Sequence, residues 1–474
     1  MMRTGVTVFG FGSLFLLLLI SLAWTEAQGF TSADVTQLWA RSILQVDGPL
    51  HFRSTDAFYP PIPFFLSLSF YGILGSADVP GPFIISAFAG AALLVLWSFS
   101  LRDRGDWAFW TRLCAVALLG LNPVFLRTVA EGPEKVLSLL GIWIFTRGLV
   151  NLRLTGNAPD MMKVAVGLIL VAMSDSFGLV LAFAALPFMI VAAQPSMIAW
   201  SSTGYLVAMV YPIAVAIGSL FFTSMIFDSV LVPNLFEPSP PLGWSAHLWN
   251  LSALVPLALI ASLPSIATPR VFMPLMAAVG TVCGAYALNL FFQMESDPAM
   301  AVAPLLAVTM AAIRFWPAFP ARAPLLLGLL GVAFVTSFVA LRESRHDQTM
   351  GWMAAVAGSH PPGLSPTEEV GRFLEGKSDI MVDIERSPEI LLEMGGIESL
   401  VVSGERRYDW VLQGGAPEAS YILVPNQEPG KQVTDRLLRR FPGMDQGSLP
   451  DYREVFSNAR WRVFERQDRV GQGR

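Results

Sequence analysis

Charged residues are scarce in this chain, and their scarcity argues against an ordinary soluble fold. Only 14% of the 474 residues are charged, while 54% are hydrophobic and the mean hydropathy is +0.55. Soluble domains carry roughly 25% charged residues. We therefore interpret the chain as a membrane protein.

The chain also lacks the residues of several common sites. The two cysteines, Cys114 and Cys283, each lie in an apolar stretch, where a thiol behaves as a small hydrophobe. We therefore expect no disulfide and no thiolate metal site. The net charge is -5, and Lys and Arg fall in short clusters. This pattern gives no reason to expect nucleic acid as a partner.

Long apolar runs are what the chain has instead. We predict about eleven spanning helices, near residues 7–24, 82–100, 112–128, 134–150, 163–176, 177–193, 204–226, 249–266, 271–292, 299–315 and 323–341. The sequence "SDSFG" breaks the stretch 163–193 and suits a tight turn, so the count is ten or eleven, with eleven preferred. The first run also fits a signal peptide, but a retained span is favoured because "WTEAQG" is a poor cleavage site.

Loop charges predict the orientation. Basic residues cluster in four loops, which hold Arg102, Arg104 and Arg112; Arg147, Arg153 and Lys163; Arg270; and Arg314 and Arg322. The positive-inside rule makes these loops and the N-terminus cytoplasmic, provided that the segment from Tyr59 to Leu74 does not cross. We expect a multi-pass protein of the cell (inner) membrane. Its outer parts are then 25–81, 128–134, 227–248, 293–298 and everything after Leu341.

The polar tail predicts a second domain. Strand-like segments such as "DIMVDIE" and "SYILVPN" alternate there with helix-like segments such as "SPTEEVGRFLEG". We expect a transmembrane domain at 1–341 and an extracytoplasmic α/β domain at 342–474. Since the tail has no Gly-rich phosphate loop, HExxH or Cys/His cluster, it predicts a binding or supporting role.

An amphipathic helix follows the first span. The polar residues Asp34, Gln37, Arg41 and Gln45 recur at helical spacing, and apolar residues occupy the other face. This pattern predicts an interfacial helix with its apolar side in the bilayer. For Asp34 two interpretations stay open: a member of a capping box with Thr31 as the N-cap, or a catalytic acid.

The order of these features resembles a known family. A span, a loop Asp, a helix containing "ARSIL", a Gly, a polar stretch and "YPP" resemble the first outer loop of the GT-C superfamily. The following basic loop, "NP", outer acid and span in "RDRGDWAFWTRLCAVALLGLNPVFLRTVAEGPEKVL" are also similar. The resemblance is to the branch that contains aminoarabinose transferases and protein mannosyltransferases. It implies a polytopic helical glycosyltransferase with an outer C-terminal domain.

The resemblance also implies roles for outer acids. Asp34 matches the family's loop-one acid, the general base that deprotonates an acceptor. The second outer acid is Glu131 or Glu134. Glu131 ranks first, because Glu134 is explained equally well as a complement to the helix dipole beside a Pro at N1. Asp175 either ends a helix at the outer surface or lines the acceptor cavity.

Two departures from the family affect the expected ligands. Val35 stands where many relatives carry a second acid, which disfavours a divalent metal, so we expect no metal and no cofactor. Tyr59 replaces a Lys before the Pro-Pro. The expected substrate and phosphate contacts are therefore Arg41, His51, Arg53, Tyr59 and Glu134. Lipid headgroup anchoring explains Arg53 equally well, and simple solvation explains His51.

The resemblance implies transfer of a sugar from a polyprenyl-phosphate donor to a lipid, glycan or protein acceptor at the outer membrane face. The lipid-linked sugar is then a co-substrate, and membrane lipids are the other partners. The alternative is a transporter or a non-enzymatic scaffold for envelope assembly. That class predicts internal repeats and ionisable residues within spans, and the sequence shows neither.

Overall fold

The computed structural model describes residues 2–48, 59–75, 80–105, 107–192, 194–227, 244–292, 297, 299–359, 365–384, 387–426 and 435–467. Helices predominate in this part of the chain, and strands occur only after residue 379 within it.

The helices are α1 (Met2–Ala27), α2 (Ala33–Asp47), α3 (Pro61–Leu74), α4 (Gly81–Gly105), α5 (Phe109–Gly120), α6 (Pro123–Glu131), α7 (Pro133–Thr155), α8 (Ala158–Ala172), α9 (Ser176–Ala192), α10 (Pro195–Phe227), α11 (Trp244–Ala267), α12 (Pro269–Phe292), α13 (Ala303–Ile313), α14 (Arg322–Arg342), α15 (Asp347–Val356), α16 (Pro366–Leu374), α17 (Glu389–Glu393), α18 (Arg406–Leu412) and α19 (Arg436–Arg440). Short 3-10 turns occupy Met300–Val302 and Pro442–Gln446. The strands are β1 (Ile380–Val382), β2 (Leu400–Val401), β3 (Tyr421–Pro425), β4 (Tyr452–Ser457) and β5 (Trp461–Arg466).

The chain divides into two compact units. The helical unit comprises Met1–Ser32, Ser54–Phe65 and Pro82–Ser359. The mixed unit comprises Ala33–Arg53, Leu66–Gly81 and His360–Arg474. The structural division thus falls after Ser359, one helix later than the expected boundary at 341/342. It also assigns much of the first loop, 25–81, to the mixed unit.

Fewer helices are long enough to span a membrane than the eleven that the sequence predicts. Within the described residues, seven pass by length and apolarity: Phe9–Ala27, Gly81–Arg102, Pro133–Thr155, Thr203–Ile226, His247–Pro264, Pro269–Phe292 and Arg322–Arg342. The pair α5 and α6, bent by 54°, makes an eighth if it is one span. The chain is a multi-pass membrane protein.

The shortfall has a geometric reason. Helices α8, α9 and α13 occupy predicted spans but have 15, 17 and 11 residues. At about 1.5 Å per residue, each is shorter than the roughly 30 Å hydrocarbon core. The predicted turn between the first two is confirmed, because α8 ends at Ala172 and α9 begins at Ser176.

Glycines allow α7 and α8 to pack backbone against backbone. A Cβ on Gly167 of α8 would lie 2.7 Å from the backbone N of Phe145. A Cβ on Gly141 of α7 would lie 2.8 Å from the carbonyl O of Gly167. Small residues at such contacts are typical of membrane helix pairs. Val164 and Leu168 of α8 and Leu149 of α7 are fully buried in the same cluster.

Asp297 explains why α15 belongs with the helical unit. It is buried, and its Oδ1 accepts hydrogen bonds from the backbone N–H of Ala299 at 2.9 Å and from Ser344 Oγ at 3.2 Å. Its Oδ2 accepts from Thr349 Oγ1 on α15. One carboxylate therefore joins the end of α14, the start of α15 and the turn before α13.

The mixed unit is built on a five-stranded sheet of order β2-β1-β3-β5-β4. Strand β1 is parallel to β2 and β3, while β5 is antiparallel to β3 and β4. Both strand-like segments named from the sequence form strands, because "DIMVDIE" contains β1 and "SYILVPN" contains β3. Helix α18 was not predicted from the sequence.

The apolar face of α2 lies in the core of the mixed unit, not in the bilayer. Trp39, Ile43 and Leu44 are buried in one cluster with Val370 and Leu391, among other core residues. The amphipathic pattern of α2 is confirmed, but its predicted partner was wrong. Protein side chains cover the face that was expected to contact lipid.

The second half of α3 packs on α2 within the same unit. Ser42 and Ser67 hydroxyls lie 2.8 Å apart, and the rings of Trp39 and Tyr71 meet edge to face at 5.0 Å. Tyr71 also donates a hydrogen bond to Asp47. The buried Ser42–Ser67 contact helps to fix the register of the two helices.

A buried carboxyl pair lies beside the parallel strands. Asp383 directly follows β1 and is fully buried, and its Oδ2 accepts from the backbone N–H of Arg436 at 2.9 Å. Asp435 caps α19, because its Oδ1 accepts from the Leu438 N–H at 2.9 Å. Burial raises the pKa of Asp435 to about 7, and the charge of Asp383 adds to the increase.

We expect the substitution Gly167→Ala to lower the thermal midpoint of the detergent-purified protein by several degrees. The added methyl collides with the α7 backbone, and overpacking costs about 1–3 kcal/mol. Gly218→Ala is the matched control, since a Cβ at that helical position meets nothing within 4 Å. Fluorescence-detected size-exclusion chromatography after heating measures both. Equal midpoints would contradict the close packing of α7 and α8.

We expect Asp435 to make the α19–β5 region less stable as pH rises. A raised pKa in the folded state means that the fold favours the protonated carboxyl group. The free energy of unfolding therefore falls as pH rises from the unfolded pKa near 3.8 to the folded pKa of about 7. Asp435→Asn keeps the cap and removes the charge. Hydrogen-exchange protection of residues 435–467 should therefore fall between pH 5 and 8 in the parent and stay level in the variant.

The control is Asp445→Asn, at an exposed position of the same region. It should leave the pH dependence as it is in the parent. A parent protein with level protection across this range would contradict the effect of Asp435.

Candidate active site

The corner between α6 and α7 is fixed by its own sequence. Asn122 accepts a hydrogen bond from the Val124 N–H at 3.0 Å, and Pro123 occupies the first position of α6. This cap is the physical role of the "NP" motif. Gly132, with φ of 134°, then turns the chain into α7. Such a φ strongly favours glycine.

Two residues of the segment after α1 attach to this corner. Ser32 Oγ donates to the carbonyl O of Glu131 at 2.8 Å. The ring of Phe30 lies 5.3 Å from the guanidinium carbon of Arg127. Phe30 also lies against Gly351 of α15, where a Cβ would be 3.4 Å from its ring. The start of the first loop is thereby held on α6.

Arg127 and Glu131 form a buried charged pair on α6. The Arg127 side chain is 0% exposed and that of Glu131 is 12% exposed, with Nη1 to Oε2 at 3.6 Å. Among the described residues the guanidinium nitrogens have no hydrogen-bond partner. Burial of a cation with so little compensation is costly. The expected site residue Glu131 is therefore paired with a buried arginine whose charge is poorly compensated.

A second charged cluster lies at the start of α7. Lys135 Nζ lies 2.7 Å from Asp175 Oδ1, in the turn between α8 and α9. The Lys135 side chain is 19% exposed and the Asp175 side chain 4%. Tyr59 is buried, and its hydroxyl lies 3.2 Å from the Ala172 carbonyl and 3.1 Å from the Asp175 carbonyl.

Tyr59 is a neutral donor in this cluster. Burial raises its pKa well above the ordinary value, and the charges of Asp175 and Glu134 raise it further, while Lys135 lowers it. The hydroxyl therefore keeps its proton and donates it to one of the two carbonyl oxygens. Because the hydroxyl proton of Tyr59 is already donated to a backbone carbonyl, this geometry favours a positioning role for Tyr59.

The remaining expected residues lie elsewhere or outside the described chain. Asp34 and Arg41 are half-buried residues of α2 in the mixed unit. Since α2 begins at Ala33, the residue before it is Ser32 rather than Thr31, the N-cap in the capping-box interpretation of Asp34. His51 and Arg53 lie outside the described residues.

The structure thus groups Tyr59 with Glu134 and Asp175, all of which the sequence analysis named, and adds Lys135. Lys135 was missed, although a lysine directly after Glu134, at the outer start of a predicted span, was a visible signal. Arg127 was missed because it looked like part of a span. Within the described residues, no three of His, Cys, Asp and Glu come close enough to hold a metal ion.

Solved structures resemble the chain over its full length. The crystal structure of ArnT from Cupriavidus metallidurans bound to undecaprenyl phosphate has a TM-score of 0.57 at 12% identity, covering 97% of this chain and 98% of that chain. The apo structure of the same protein has a TM-score of 0.52 at 13% identity, covering 98% of both. Arabinofuranosyltransferase AftD from Mycobacteria has a TM-score of 0.46 at 16% identity, covering 95% of this chain and 39% of that chain, and we draw nothing from it.

No family profile and no curated protein sequence matches the chain. The likeness therefore concerns the fold. The chain has the fold of ArnT along nearly its whole length, which confirms the architecture that the resemblance to the GT-C superfamily predicted: a polytopic helical membrane domain with a C-terminal α/β domain.

Proposed function

We propose that the protein is a membrane glycosyltransferase, which moves a sugar from a polyprenyl-phosphate donor to an envelope lipid, glycan or protein. The observation that carries the proposal is the full-length likeness to ArnT bound to undecaprenyl phosphate. The same proposal places the N-terminus in the cytoplasm of an inner-membrane protein and the mixed unit outside.

The proposed base is Asp34. Its carboxylate takes the proton from an acceptor hydroxyl or amine, and the freed lone pair attacks the anomeric carbon of the donor sugar. The bond between that carbon and the phosphate oxygen breaks, and lipid phosphate leaves with the electron pair. Glu131 is the proposed second acid, and Glu134 is proposed to contact the substrate. The transfer step as written balances without a metal ion.

Negative charge grows on the phosphate as it leaves, so fixed cations should lower the barrier. We propose Arg41, His51 and Arg53 as phosphate contacts, as the sequence suggested. We add Lys135, whose ammonium is held by Asp175 and stays partly exposed. It lies near Tyr59, the position where the resembling branch carries its lysine. Tyr59 is then proposed to position this cluster next to the donor.

Asp34→Asn should reduce sugar transfer at least about 100-fold, since general-base catalysis contributes about 10²–10⁴-fold. The assay incubates purified protein with a panel of polyprenyl-phosphate sugars and measures the free lipid phosphate released. The matched control is Asp47→Asn, the same change at the other end of α2.

The control should keep most of the activity and show the same elution profile in detergent. Transfer that survives in Asp34→Asn would refute the proposed base. Absence of release by the parent across the whole panel would instead favour the transporter or scaffold alternative.

Lys135→Gln should raise the KM for the lipid-linked donor about tenfold or more. Loss of the ammonium weakens the attraction for phosphate before and during transfer. Lys163→Gln is the control, because Lys163 Nζ also lies 2.7 Å from an aspartate, Asp160 Oδ1, on α8. Both variants lose a lysine–aspartate pair of equal length. An equal KM in the two variants would contradict the proposed phosphate contact of Lys135.

A further inference from the structure

An exposed tryptophan stands on α18 of the mixed unit. Trp410 is 59% exposed, whereas Trp461 of the same unit is 1% exposed and belongs to its core. A large aromatic side chain at a surface is well suited to recognition, because a rigid ring gives much contact at a low cost in conformational entropy. Trp410 has no role in the transfer chemistry proposed above.

Trp410 lines a small open pocket. The other lining residues are Gly404, Arg406, Asp409 and Gln413, and the pocket volume is about 290 Å³. Four of the five residues occur at positions 406, 409, 410 and 413, which places them on one face of the helix. A guanidinium, a carboxylate and an amide therefore surround a single indole ring.

The ring is seated against the backbone that follows α18. A Cβ on Gly415 would lie 2.0 Å from Trp410 Nε1, so only glycine leaves room for the indole there. The Gly415 N–H donates to the Trp410 carbonyl at 2.9 Å, and Gly414 has a φ of 114°. The turn after the helix therefore fixes the indole orientation, while much of the side chain stays open to solvent.

The other face of α18 holds the helix in place. Tyr408 and Val411 are buried in the sheet-side cluster, and Arg407 Nη1 lies 2.6 Å from Asp379 Oδ1. This anchoring makes the pocket face a preformed surface. Preformed sites lose less free energy to ordering when a ligand binds.

We propose that this pocket binds a saccharide. A pyranose or furanose ring has an apolar face of C–H groups that stacks on an indole, with weak C–H contacts to the aromatic face. Its edge carries adjacent hydroxyls, each a donor and an acceptor. Asp409 accepts from hydroxyls, Arg406 donates to them, and Gln413 does both. The pocket volume, about 290 Å³, is just below the range of drug-sized ligand sites, roughly 300–1,000 Å³, which suits one sugar ring.

A protein partner fits these observations less well. Hot spots at protein interfaces are aromatic side chains within a larger water-excluding patch. Here polar groups surround the single aromatic ring within one helix. The proposal is independent of catalysis by Asp34, since it concerns binding at a separate surface of the mixed unit.

The test is saturation-transfer difference NMR on the full-length protein in detergent. The probes are the methyl glycosides of arabinose, mannose and glucose, with glycerol as a polyol that lacks an apolar ring face. We expect ring C–H signals for at least one glycoside. Trp410→Ala should reduce them at least fivefold, Trp410→Phe should keep part, and Asp409→Asn should weaken them.

Trp110→Ala is the matched control, because Trp110 is 71% exposed but lies on α5. It and Asp34→Asn should both leave the signals unchanged, and the second result separates saccharide binding from transfer. Hydrogen exchange of β3 and β5 checks that the Trp410 variants remain folded. Absence of signal from every glycoside, equal signals in Trp410→Ala, or equal signals from glycerol would each overturn the proposal.

Discussion

The burial of one face of α2 in the core of the mixed unit is the interaction that positions Asp34, the proposed base, within that unit. Trp39, Ala40, Ile43 and Leu44 belong to this core and are each at most 7% exposed. Burial of one large apolar side chain contributes about 1.5–3 kcal/mol, so several of them hold the helix firmly. Asp34 stands on the first turn of that helix. Its position within the mixed unit is therefore set by the packing of α2 in that core.

The sequence could predict α2 but not the surface that covers it. A helical period identifies an apolar face, and lipid and protein cores satisfy such a face equally. The same limit applies to the spans. Each predicted apolar run coincides with helical structure, but α8 and α13 are too short to cross a membrane alone. The sequence did not show this, because an apolar run does not mark the residue at which a helix ends. The strands of the mixed unit were predicted because their alternation is local.

In the candidate site, too, neighbouring sequence identifies some residues, whereas contacts between distant residues are visible only in the structure. Asp34, Glu131 and Glu134 were accessible to sequence reasoning, because each lies in a polar segment next to a span. The contact between Lys135 and Asp175 was not, since 40 residues separate the two and only the return of α8 along α7 brings them together. Tyr59 was read as a substitute for a phosphate-binding lysine. Its buried hydroxyl instead donates to a backbone carbonyl beside a lysine from another helix.

Arg127 is a charged side chain whose complete burial on α6 costs free energy. A fully buried guanidinium, 3.6 Å from a single carboxylate, gains little compared with an apolar side chain of similar volume. Its charge does, however, act through a low-dielectric surrounding, where an electrostatic potential extends further than in water. A reaction that builds negative charge on a leaving phosphate benefits from positive potential that is fixed before the substrate arrives. The Phe30 ring and the 0% exposure hold this charge in place beside Glu131, the second acid of the proposed site.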